Sequence, residues 1–307
     1  MIQTFQRTLP HGITLSCRAA GEAGRPLMVF LHGFPEGAFI WDPLLEYFAQ
    51  PEHGGYRCVA PNLRGFEKSS APKEVEAYRA HLLIQDVLEL AALEVPDGRI
   101  DTLVAHDWGG AFGWGLANAH PAKLDRLVII NSPHPGTFLR ELRDNPAQRE
   151  ASAYMTYLAR PDAEQLLAAD DYRRLWPFLT APEPSRDWLT EPEKAQYREV
   201  WNAGLTGACN LYRVTPLKPA SPGEAPRAFP DVARERFTVD MPTLVLWALD
   251  DVALLPGLLD GLEDYVPKLR LTKVPGATHW IVHERPDWVA RQIEDFARAT
   301  PAAAAHQ

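Results

Sequence analysis

The sequence predicts an α/β fold with a mostly parallel central sheet and one large helical insertion. Apolar, strand-like runs alternate with helix-like segments in the first part of the chain, which is typical of parallel strands joined by helical crossovers. The alternation stops between Pro133 and Pro242, where aromatic-rich, helix-like sequence contains no convincing strand. It resumes with PTLVLWAL (242–249) and LRLTKV (269–274), and a final helix is predicted from Pro286.

The strands before the insertion are recognised by continuous or alternating apolar residues. The first, ITLSCRAA (13–20), alternates like a half-exposed strand. The run LMVFL (27–31) is apolar throughout, as a strand buried on both faces of a parallel sheet should be. The remaining strands are predicted at YRCVAP (56–61), TLVAHD (102–107) and RLVII (126–130).

Helices are predicted between these strands from apolar residues at helical spacing. They cover AFIWDPLLEYFAQ (38–50), YRAHLLIQDVLELAALEV (78–95) and GGAFGWGLANAHP (109–121). In the second helix one apolar face is expected to be buried, and it consists of Leu82, Leu83, Val87, Leu90 and Leu93.

The interruption of the strand pattern divides the chain into two parts. Residues 134–241 are expected to form a helical cap, and residues 1–133 and 242–307 are expected to form the core. The return limb of the cap has closely spaced prolines that suit an extended linker, namely Pro216, Pro219, Pro222, Pro226 and Pro230. The tail PAAAAHQ (301–307) is predicted to be disordered.

The composition is that of a globular protein and argues against several classes of partner. The chain has 307 residues, of which 46% are hydrophobic and 23% charged, so it can bury a sizeable core. Acidic residues outnumber basic ones by 40 to 31 without any basic cluster, which argues against nucleic acid or an anionic membrane surface. No apolar run approaches the ~18 residues of a membrane-spanning helix, and the N-terminal segment lacks the apolar stretch of a signal peptide.

The cysteines indicate a reducing compartment. Cys17, Cys58 and Cys209 are odd in number and far apart, so they form neither a disulfide framework nor a metal-binding box. We therefore expect a cytoplasmic protein. The sequence has no metal-ligand spacing and no Gly-rich phosphate loop, so neither a cofactor nor a metal is expected.

Titratable residues follow three of the predicted strands at their carboxyl ends, where ligands bind in open parallel sheets. Asp107 ends TLVAHD, Asp250 and Asp251 follow TLVLWAL, and His279 follows LRLTKV in the loop PGATHW. A nucleophile, an orienting acid and a base in this chain order are the arrangement of α/β-hydrolases.

The segment around Asp107 has small residues two positions before and two after it, as the sharp strand–turn–helix of a hydrolase nucleophile requires. Together with HGFPE (32–36), NSPHP (131–135) and GATHW (276–280), the segment HDWGG (106–110) resembles the epoxide hydrolase and haloalkane dehalogenase branch of the α/β-hydrolase superfamily. The resemblance extends over nearly the whole chain. It implies the α/β-hydrolase fold, with the helical cap inserted after the sixth apolar strand.

Asp107 occupies the position at which esterases carry serine. A carboxylate suits attack on an electrophilic sp³ carbon, because water can cleave the resulting ester, whereas a serine would leave an inert ether. His279, oriented by an acid, would activate that water. The resemblance assigns the oxyanion hole to the backbone N–H groups of Phe34 and Trp108. The alternative is that Asp107 only caps the following helix.

Two neighbouring carboxylates compete for the role of the orienting acid. The resemblance favours Asp251 in WALDDVAL (247–254), while Asp250 is expected to be a loop residue. Some relatives place this acid after the sixth strand. Asn131 and Ser132 stand there in this chain and cannot supply a carboxylate, which supports the later position.

Two cap tyrosines are expected to donate hydrogen bonds to an epoxide oxygen, as the resemblance to epoxide hydrolases implies. SAYMTYL (152–158) provides Tyr154, with Tyr157 as the alternative on nearly the same helix face. CNLYRVTP (209–216) provides Tyr212. The alternative is that these tyrosines only pack.

The first functional prediction is a cofactor-independent enzyme that hydrolyses small to medium apolar epoxides to vicinal diols. Phe34, Trp108 and Trp176 are expected to contact the substrate. A haloalkane dehalogenase is the alternative, in which Trp108 and a cap tryptophan (Trp176, Trp188 or Trp201) bind the halide. A non-catalytic ligand-binding protein is the third. The expected partners are a small apolar substrate and water, and neither nucleic acid nor a membrane is expected. A homodimer is possible.

Two further polar residues near the predicted site are assigned structural roles. Glu36 is expected to cap the helix that follows it. His106, which precedes Asp107, is expected to form a local hydrogen bond.

Overall fold

The computed structural model of the protein describes residues 1–180, 187–220, 229 and 233–300. Three prolines of the predicted linker (Pro222, Pro226 and Pro230) and the tail 301–307 lie outside the described residues. Pro216 and Pro219 are described and lie in a segment that is neither helix nor strand.

The described strands form one sheet flanked by helices. The strands are β1 (Gln3–Thr8), β2 (Thr14–Ala20), β3 (Leu27–Leu31), β4 (Arg57–Pro61), β5 (Ile100–His106), β6 (Leu124–Ile130), β7 (Thr243–Ala248) and β8 (Leu269–Val274). Their order in the sheet is β1-β2-β4-β3-β5-β6-β7-β8. Strand β2 pairs antiparallel with β1 and β4, and every pair from β4 to β8 is parallel. The predicted α/β fold with a mostly parallel sheet is confirmed.

The N-terminal strand β1 is missing from the sequence-based prediction. Its residues QTFQRT include a single apolar side chain, and none of the six is buried. Because β1 lies at the edge of the sheet and pairs only with β2, it needs no apolar face and leaves no apolar pattern. With β1 counted, the insertion follows the sixth strand, β6.

The helices flank the sheet and fill the insertion. They are α1 (Asp42–Phe48), α2 (Ala80–Glu94), α3 (Trp108–Ala119), α4 (Pro135–Asp144), α5 (Pro146–Ala151), α6 (Tyr154–Leu158), α7 (Ala163–Tyr172), α8 (Trp176–Thr180), α9 (Glu191–Asn202), α10 (Thr206–Val214), α11 (Ile281–Glu284) and α12 (Pro286–Ala299). Helices α4 to α10 lie between β6 and β7, where the described residues form no strand. The division of the chain at residues 134 and 241 stays a prediction. No described helix is both long and apolar enough to cross a bilayer.

Helix α2 departs from the predicted buried face at its C-terminal end. Leu83, Val87 and Leu90 are buried and Leu82 is half-buried, but Leu93 is 46% exposed. Leu93 comes six residues after Val87 and so lies about 120° away around the helix, outside the buried stripe. Ile84 widens the stripe on its other side.

The parallel strands bring the predicted site residues to one edge of the sheet. Strands β3, β5, β6, β7 and β8 point the same way, so the loops that follow them open on the same side. These loops carry Phe34, Asp107, Asn131, Asp251 and His279.

Candidate active site

Asp107 lies on a strained turn between β5 and α3. Its backbone has φ of 50° and ψ of −121°, a conformation that residues other than glycine rarely adopt. Gly109 must lack a side chain, because a Cβ there would lie 2.7 Å from the carbonyl oxygen of His32. The Ser132 hydroxyl donates a hydrogen bond of 2.7 Å to the backbone carbonyl of Asp107. The turn thus holds the Asp107 carboxylate above the end of the sheet.

One oxygen of the Asp107 carboxylate faces the loop after β3. The Phe34 N–H donates to Oδ1 at 2.7 Å, and the peptide bond between Phe34 and Pro35 is cis. Trp108 is the first residue of α3, where backbone N–H groups have no partner within the helix. These are the two N–H groups predicted for an oxyanion hole, and the Phe34 group already contacts the carboxylate.

The other oxygen of Asp107 faces His279. The His279 Nε2 atom is 3.7 Å from Asp107 Oδ2, and its Nδ1 atom is 2.7 Å from Asp251 Oδ2. Asp251 can only accept when ionised, so Nδ1 carries the proton in this contact. The hydrogen bond orients the ring and directs Nε2 toward Asp107.

Asp251, rather than Asp250, is the carboxylate that reaches His279. It is fully buried at the side chain, and its Oδ1 accepts hydrogen bonds from the backbone N–H groups of Ala253 and Leu254 at 2.9 and 3.0 Å. Burial raises the pKa of Asp251, but the His279 charge and the hydrogen bonds outweigh burial and hold that pKa below its ordinary value.

Asn131 supports the orienting acid from the position where some relatives carry the acid itself. Its Nδ2 donates to Asp251 Oδ2 at 2.8 Å, and its Oδ1 accepts from the Ala248 N–H at 2.9 Å. Asn131 therefore ties the end of β6 to the loop after β7. The sequence indicated only that Asn131 could not be the acid, and it gave no sign of this bridging role.

His279 is surrounded by negative charge. Burial lowers the pKa of the ring, but the charge of Asp251, the hydrogen bond to it and the charge of Asp107 outweigh burial and raise the pKa to about 9. A ring with this pKa is protonated at neutral pH. Because Asp107 contributes to the shift, loss of the Asp107 charge favours the neutral ring, which is the form that can accept a proton.

We expect Asp107→Asn to lower the pKa of His279, because the change removes one of the carboxylates that favour the protonated ring. Titration of the imidazole signals by NMR measures this pKa directly. His134 is the internal control, because its ring is hydrogen-bonded to the Phe237 carbonyl and not to Asp107. Burial lowers the pKa of His134 to about 4, and this value should not change in the variant. An unchanged His279 pKa would show that the charge of Asp107 does not stabilise the protonated ring.

The same shift has a consequence for stability. The folded-state pKa of His279 lies above the ordinary value of 6.5. The attraction between the protonated ring and the carboxylates of Asp251 and Asp107 therefore makes its full contribution to the free energy of unfolding below pH 6.5. The contribution is lost as the pH rises through about 9, and it should be smaller in Asp107→Asn.

Tyr154 and Tyr212 face Asp107 from the helical insertion between β6 and β7. Their ring centroids are 6.0 Å apart, and the Tyr212 ring is 5.3 Å from Phe34 and 5.1 Å from Trp108. Burial, with smaller contributions that include the charge of Asp107, holds the pKa of both phenols well above the ordinary range. Both hydroxyl groups therefore stay protonated and can donate hydrogen bonds.

Two apolar cavities meet at Asp107, Tyr154 and Tyr212. One has a volume of about 280 Å³ and the other about 310 Å³, and Asp107, Tyr154 and Tyr212 line both. The first is bounded by His279 and Trp280, the second by apolar side chains from α3, α4 and the segment after α10. An apolar molecule can thus lie across the carboxylate with groups on either side of it.

Tyr157 does not line either of the two cavities at Asp107. It borders a different cavity with Arg173 and Arg174, and its buried hydroxyl has no hydrogen-bond partner within the described part of the chain. Tyr154 is therefore the member of the pair that faces Asp107.

The predicted contact between Trp176 and the substrate is not supported by its placement. Trp176 packs 4.6 Å from Trp201, lies beneath Arg198 and donates to the Asp171 carbonyl. It borders neither cavity beside Asp107, whereas Phe178 does. Residues two apart on a helix point about 200° apart, so α8 turns Phe178 inward and Trp176 away.

The other cap tryptophans are also engaged elsewhere. The Trp201 indole donates to the Pro35 carbonyl at 2.7 Å. Trp188 stacks on His283 with ring centroids 4.3 Å apart. Neither borders the two cavities at Asp107, so the structure gives no described cap tryptophan to pair with Trp108 around a halide.

Glu36 and His106 have longer-range partners than the sequence suggested. Glu36 does not cap the next helix: it is fully buried and accepts from Tyr197 at 2.8 Å and His283 at 2.7 Å. His106 bonds Glu36 at 3.1 Å and reaches the His279 carbonyl at 2.9 Å. Burial alone would raise the pKa of Glu36, but hydrogen bonds from both histidines hold it well below the ordinary range.

This buried cluster joins the loop after β3, the residue before Asp107, helix α9 and the segment that carries His279. Sequence reasoning missed it because its members come from four distant segments and share no spacing. Among the described residues, no group of three or more His, Cys, Asp or Glu side chains is arranged to hold a metal ion.

The chain is similar to known hydrolases over most of its length. The family described as the alpha/beta hydrolase fold matches residues 26–286. Epoxide hydrolase 3 of Xenopus tropicalis is 32% identical over 302 residues, which are 96% of this chain and 77% of that protein. AB hydrolase superfamily protein YfhM of Bacillus subtilis (strain 168) is 32% identical over 291 residues, which are 94% of this chain and 96% of that protein.

Solved epoxide hydrolases share the fold. A novel epoxide hydrolase of this superfamily from metagenomes of hot environments is 34% identical, with a TM-score of 0.81 over 96% of this chain and 98% of that chain. The epoxide hydrolase of Bacillus megaterium in complex with an inhibitor is 28% identical, with a TM-score of 0.83 over 96% of this chain and 100% of that chain.

Proposed function

The chain belongs to the α/β-hydrolase superfamily and is a hydrolase related to epoxide hydrolases, and from this we propose that it hydrolyses apolar epoxides to vicinal diols through a covalent ester on Asp107. One observation carries the proposal. Two protonated phenols, the half-buried Tyr154 and the buried Tyr212, line the same two apolar cavities as a carboxylate on a strained turn.

In the first step the Asp107 carboxylate attacks one epoxide carbon. A bond forms between that carbon and a carboxylate oxygen, and the bond from the carbon to the epoxide oxygen breaks. Tyr154 or Tyr212 gives its proton to the departing oxygen and stabilises the charge that develops on it. The apolar walls exclude water, which strengthens these hydrogen bonds.

In the second step water cleaves the ester. His279 Nε2 accepts a proton from water as the oxygen attacks the ester carbonyl, and Asp251 stabilises the imidazolium that forms. The N–H groups of Phe34 and Trp108 stabilise the oxyanion. Collapse of this intermediate breaks the bond between the ester carbonyl carbon and the diol oxygen, which takes the proton from the imidazolium. Asp107 keeps the oxygen from water, and the remaining water proton returns through solvent to the phenolate formed in the first step, which restores the carboxylate and the phenol.

The charges link the two steps. Before the reaction the Asp107 charge helps to keep His279 protonated, and a protonated imidazole cannot act as a base. Formation of the ester removes that charge and lowers the His279 pKa. The fraction of His279 that is neutral and can act as a base is therefore larger when the ester is present.

The proposal is tested on a panel of apolar epoxides and bromoalkanes, with diol, alcohol and bromide as the measured products. We expect Tyr212→Phe and Tyr154→Phe each to slow formation of the ester from epoxides about a hundredfold, because each deletes one donor to the developing charge. Hydrolysis of the preformed ester should change far less. Pre-steady-state rates of the two steps separate these effects.

Trp108→Phe is the matched variant for halide chemistry. The Trp108 ring packs edge-on against Tyr212, with ring centroids 5.1 Å apart, and Trp108→Phe keeps this packing while it removes the indole N–H. Bromide release that survives both tyrosine changes and is lost in Trp108→Phe would replace the proposal with a dehalogenase. Full epoxide activity in the two tyrosine variants would contradict the role of the cap.

A further inference from the structure

Helix α10, which carries Tyr212, contacts the core through backbone atoms. Gly207 in its first turn lies against Gly65, in the loop after β4. A Cβ atom built on Gly207 would stand 2.6 Å from the carbonyl oxygen and 2.8 Å from the carbonyl carbon of Gly65. Carbon atoms in normal contact lie about 3.5–4.0 Å apart, so only glycine at residue 207 allows the helix to lie this close.

The core side of this contact cannot easily retreat. Gly65 has φ of +88° and its N–H donates to the Ser70 carbonyl at 2.9 Å. A Cβ on Gly65 would lie 2.7 Å from the ring of Tyr78. Tyr78 is itself buried and donates to the Pro72 carbonyl at 2.8 Å. The Gly65 loop is therefore packed between α10 and a fixed aromatic ring.

Two further contacts hold α10 in register with the core and the cap. Asn210 donates to the Lys73 carbonyl at 3.3 Å, on the same side as the glycine contact. Arg213 forms two hydrogen bonds of 2.6 Å with Glu164 on α7, and one of 2.9 Å with Asn210. Tyr212 lies between these anchors, so the separation of α10 from the core determines where its hydroxyl group stands.

We propose that Gly65 and Gly207 are positioning residues that set the distance between the Tyr212 hydroxyl and Asp107. A methyl group at residue 207 forces α10 away from the core by about 1 Å before normal contact is restored. A displacement of about 1 Å in a reacting group can cost about a hundredfold in rate. The kinetic part of this inference rests on the proposed function, in which Tyr212 donates to the epoxide oxygen.

A double-mutant cycle tests the kinetic part. Gly207→Ala should slow ester formation on Asp107 at least about tenfold in the parent enzyme and in Tyr154→Phe. In Tyr212→Phe the same change should cost less than about twofold, because the hydroxyl that it displaces is already absent. Hydrolysis of the preformed ester should stay within about twofold throughout. Equal slowing in all three backgrounds, or no slowing in the parent, would overturn the inference.

A crystal structure of Gly207→Ala tests the geometric part without any substrate. The Tyr212 hydroxyl should be displaced by about 1 Å relative to Asp107, while Tyr154 keeps its place. Tyr212 in its original position would overturn the inference. If the parent enzyme opens no epoxide, the proposed function fails, but this displacement is still expected. If Gly207→Ala does not fold, Asn210→Ala tests the same side of α10, because it removes the hydrogen bond to the Lys73 carbonyl. Asn210→Ala should slow ester formation in the parent enzyme but not in Tyr212→Phe, and equal slowing in both would overturn the inference.

Discussion

Replacement of Asp107 by alanine is expected to abolish epoxide turnover while the protein stays folded. The carboxylate supplies the electron pair that opens the ring, and a methyl group cannot replace it. Loss of a covalent nucleophile can lower the rate about a million-fold. The loss should appear as the absence of diol and of any covalent adduct at saturating substrate, in a protein whose thermal unfolding is still cooperative.

The strained backbone calls for a second variant and a control. Asp107 has φ of 50°, which asparagine tolerates better than alanine, so Asp107→Asn removes the charge with less disturbance of the turn. Both variants should be inactive. Asp250→Asn is the matched control, because Asp250 neighbours the orienting acid in the chain, and its activity should stay near that of the parent.

The origin of the new oxygen in the product distinguishes covalent catalysis from direct attack by water. In a single turnover in heavy-oxygen water, the first diol should carry a light oxygen, because that atom comes from the Asp107 carboxylate. Later turnovers should incorporate heavy oxygen as the carboxylate exchanges. Heavy oxygen in the first diol would mean that water attacks the epoxide directly, and the proposed ester would be wrong.

The core of the candidate site could be predicted because its residues follow unambiguous strands. Strand β5 is buried along nearly its whole length and β7 along all of it, and each has an uninterrupted apolar run. The residue after such a run must lie at the carboxyl edge of the sheet. Asp107 and the Asp250–Asp251 pair could therefore be placed near each other from the strand pattern. Strand β8, before His279, is mostly exposed or half-buried, so the placement of His279 and the choice of Asp251 depended on the resemblance as well.

The helical insertion between β6 and β7 could be predicted only in outline. Its helices are short and pack around the site through several aromatic side chains, so the composition does not say which aromatic points inward. Trp176 and Phe178 are two residues apart, and the register of α8 alone decides between them. Tyr154 and Tyr157 pose the same problem on α6, and it was the cavity linings that separated them.

Contacts between distant segments left no trace in the sequence. Glu36 accepts hydrogen bonds from α9 and from His283, which lie far along the chain, so no local spacing reveals them. The contact between Gly65 and Gly207 is equally non-local. In the sequence, each glycine by itself suggests only a turn or the end of a helix. Such contacts fix how helices α9 and α10 pack on the loops after β3 and β4, and they can be recognised only in the folded chain.

Replacement of His279 by glutamine is expected to stop the reaction after the ester has formed. The base is needed to activate water, whereas attack by Asp107 on the epoxide needs only the carboxylate and the cap phenols. His279→Gln should therefore consume one equivalent of epoxide and then stop. Intact-protein mass spectrometry should show an increase equal to the mass of the substrate, located on the peptide that contains Asp107.

Two further variants make this result decisive. Asp251→Asn should slow the same step less severely, because the ring remains but loses the partner that orients it at 2.7 Å and stabilises its charge. The double variant Asp107→Ala with His279→Gln should show no adduct, which excludes alkylation elsewhere. A folded His279→Gln protein that is inactive and accumulates no ester under saturating epoxide would show that His279 is required for ring opening. The division of labour between His279 and the two tyrosines would then be wrong.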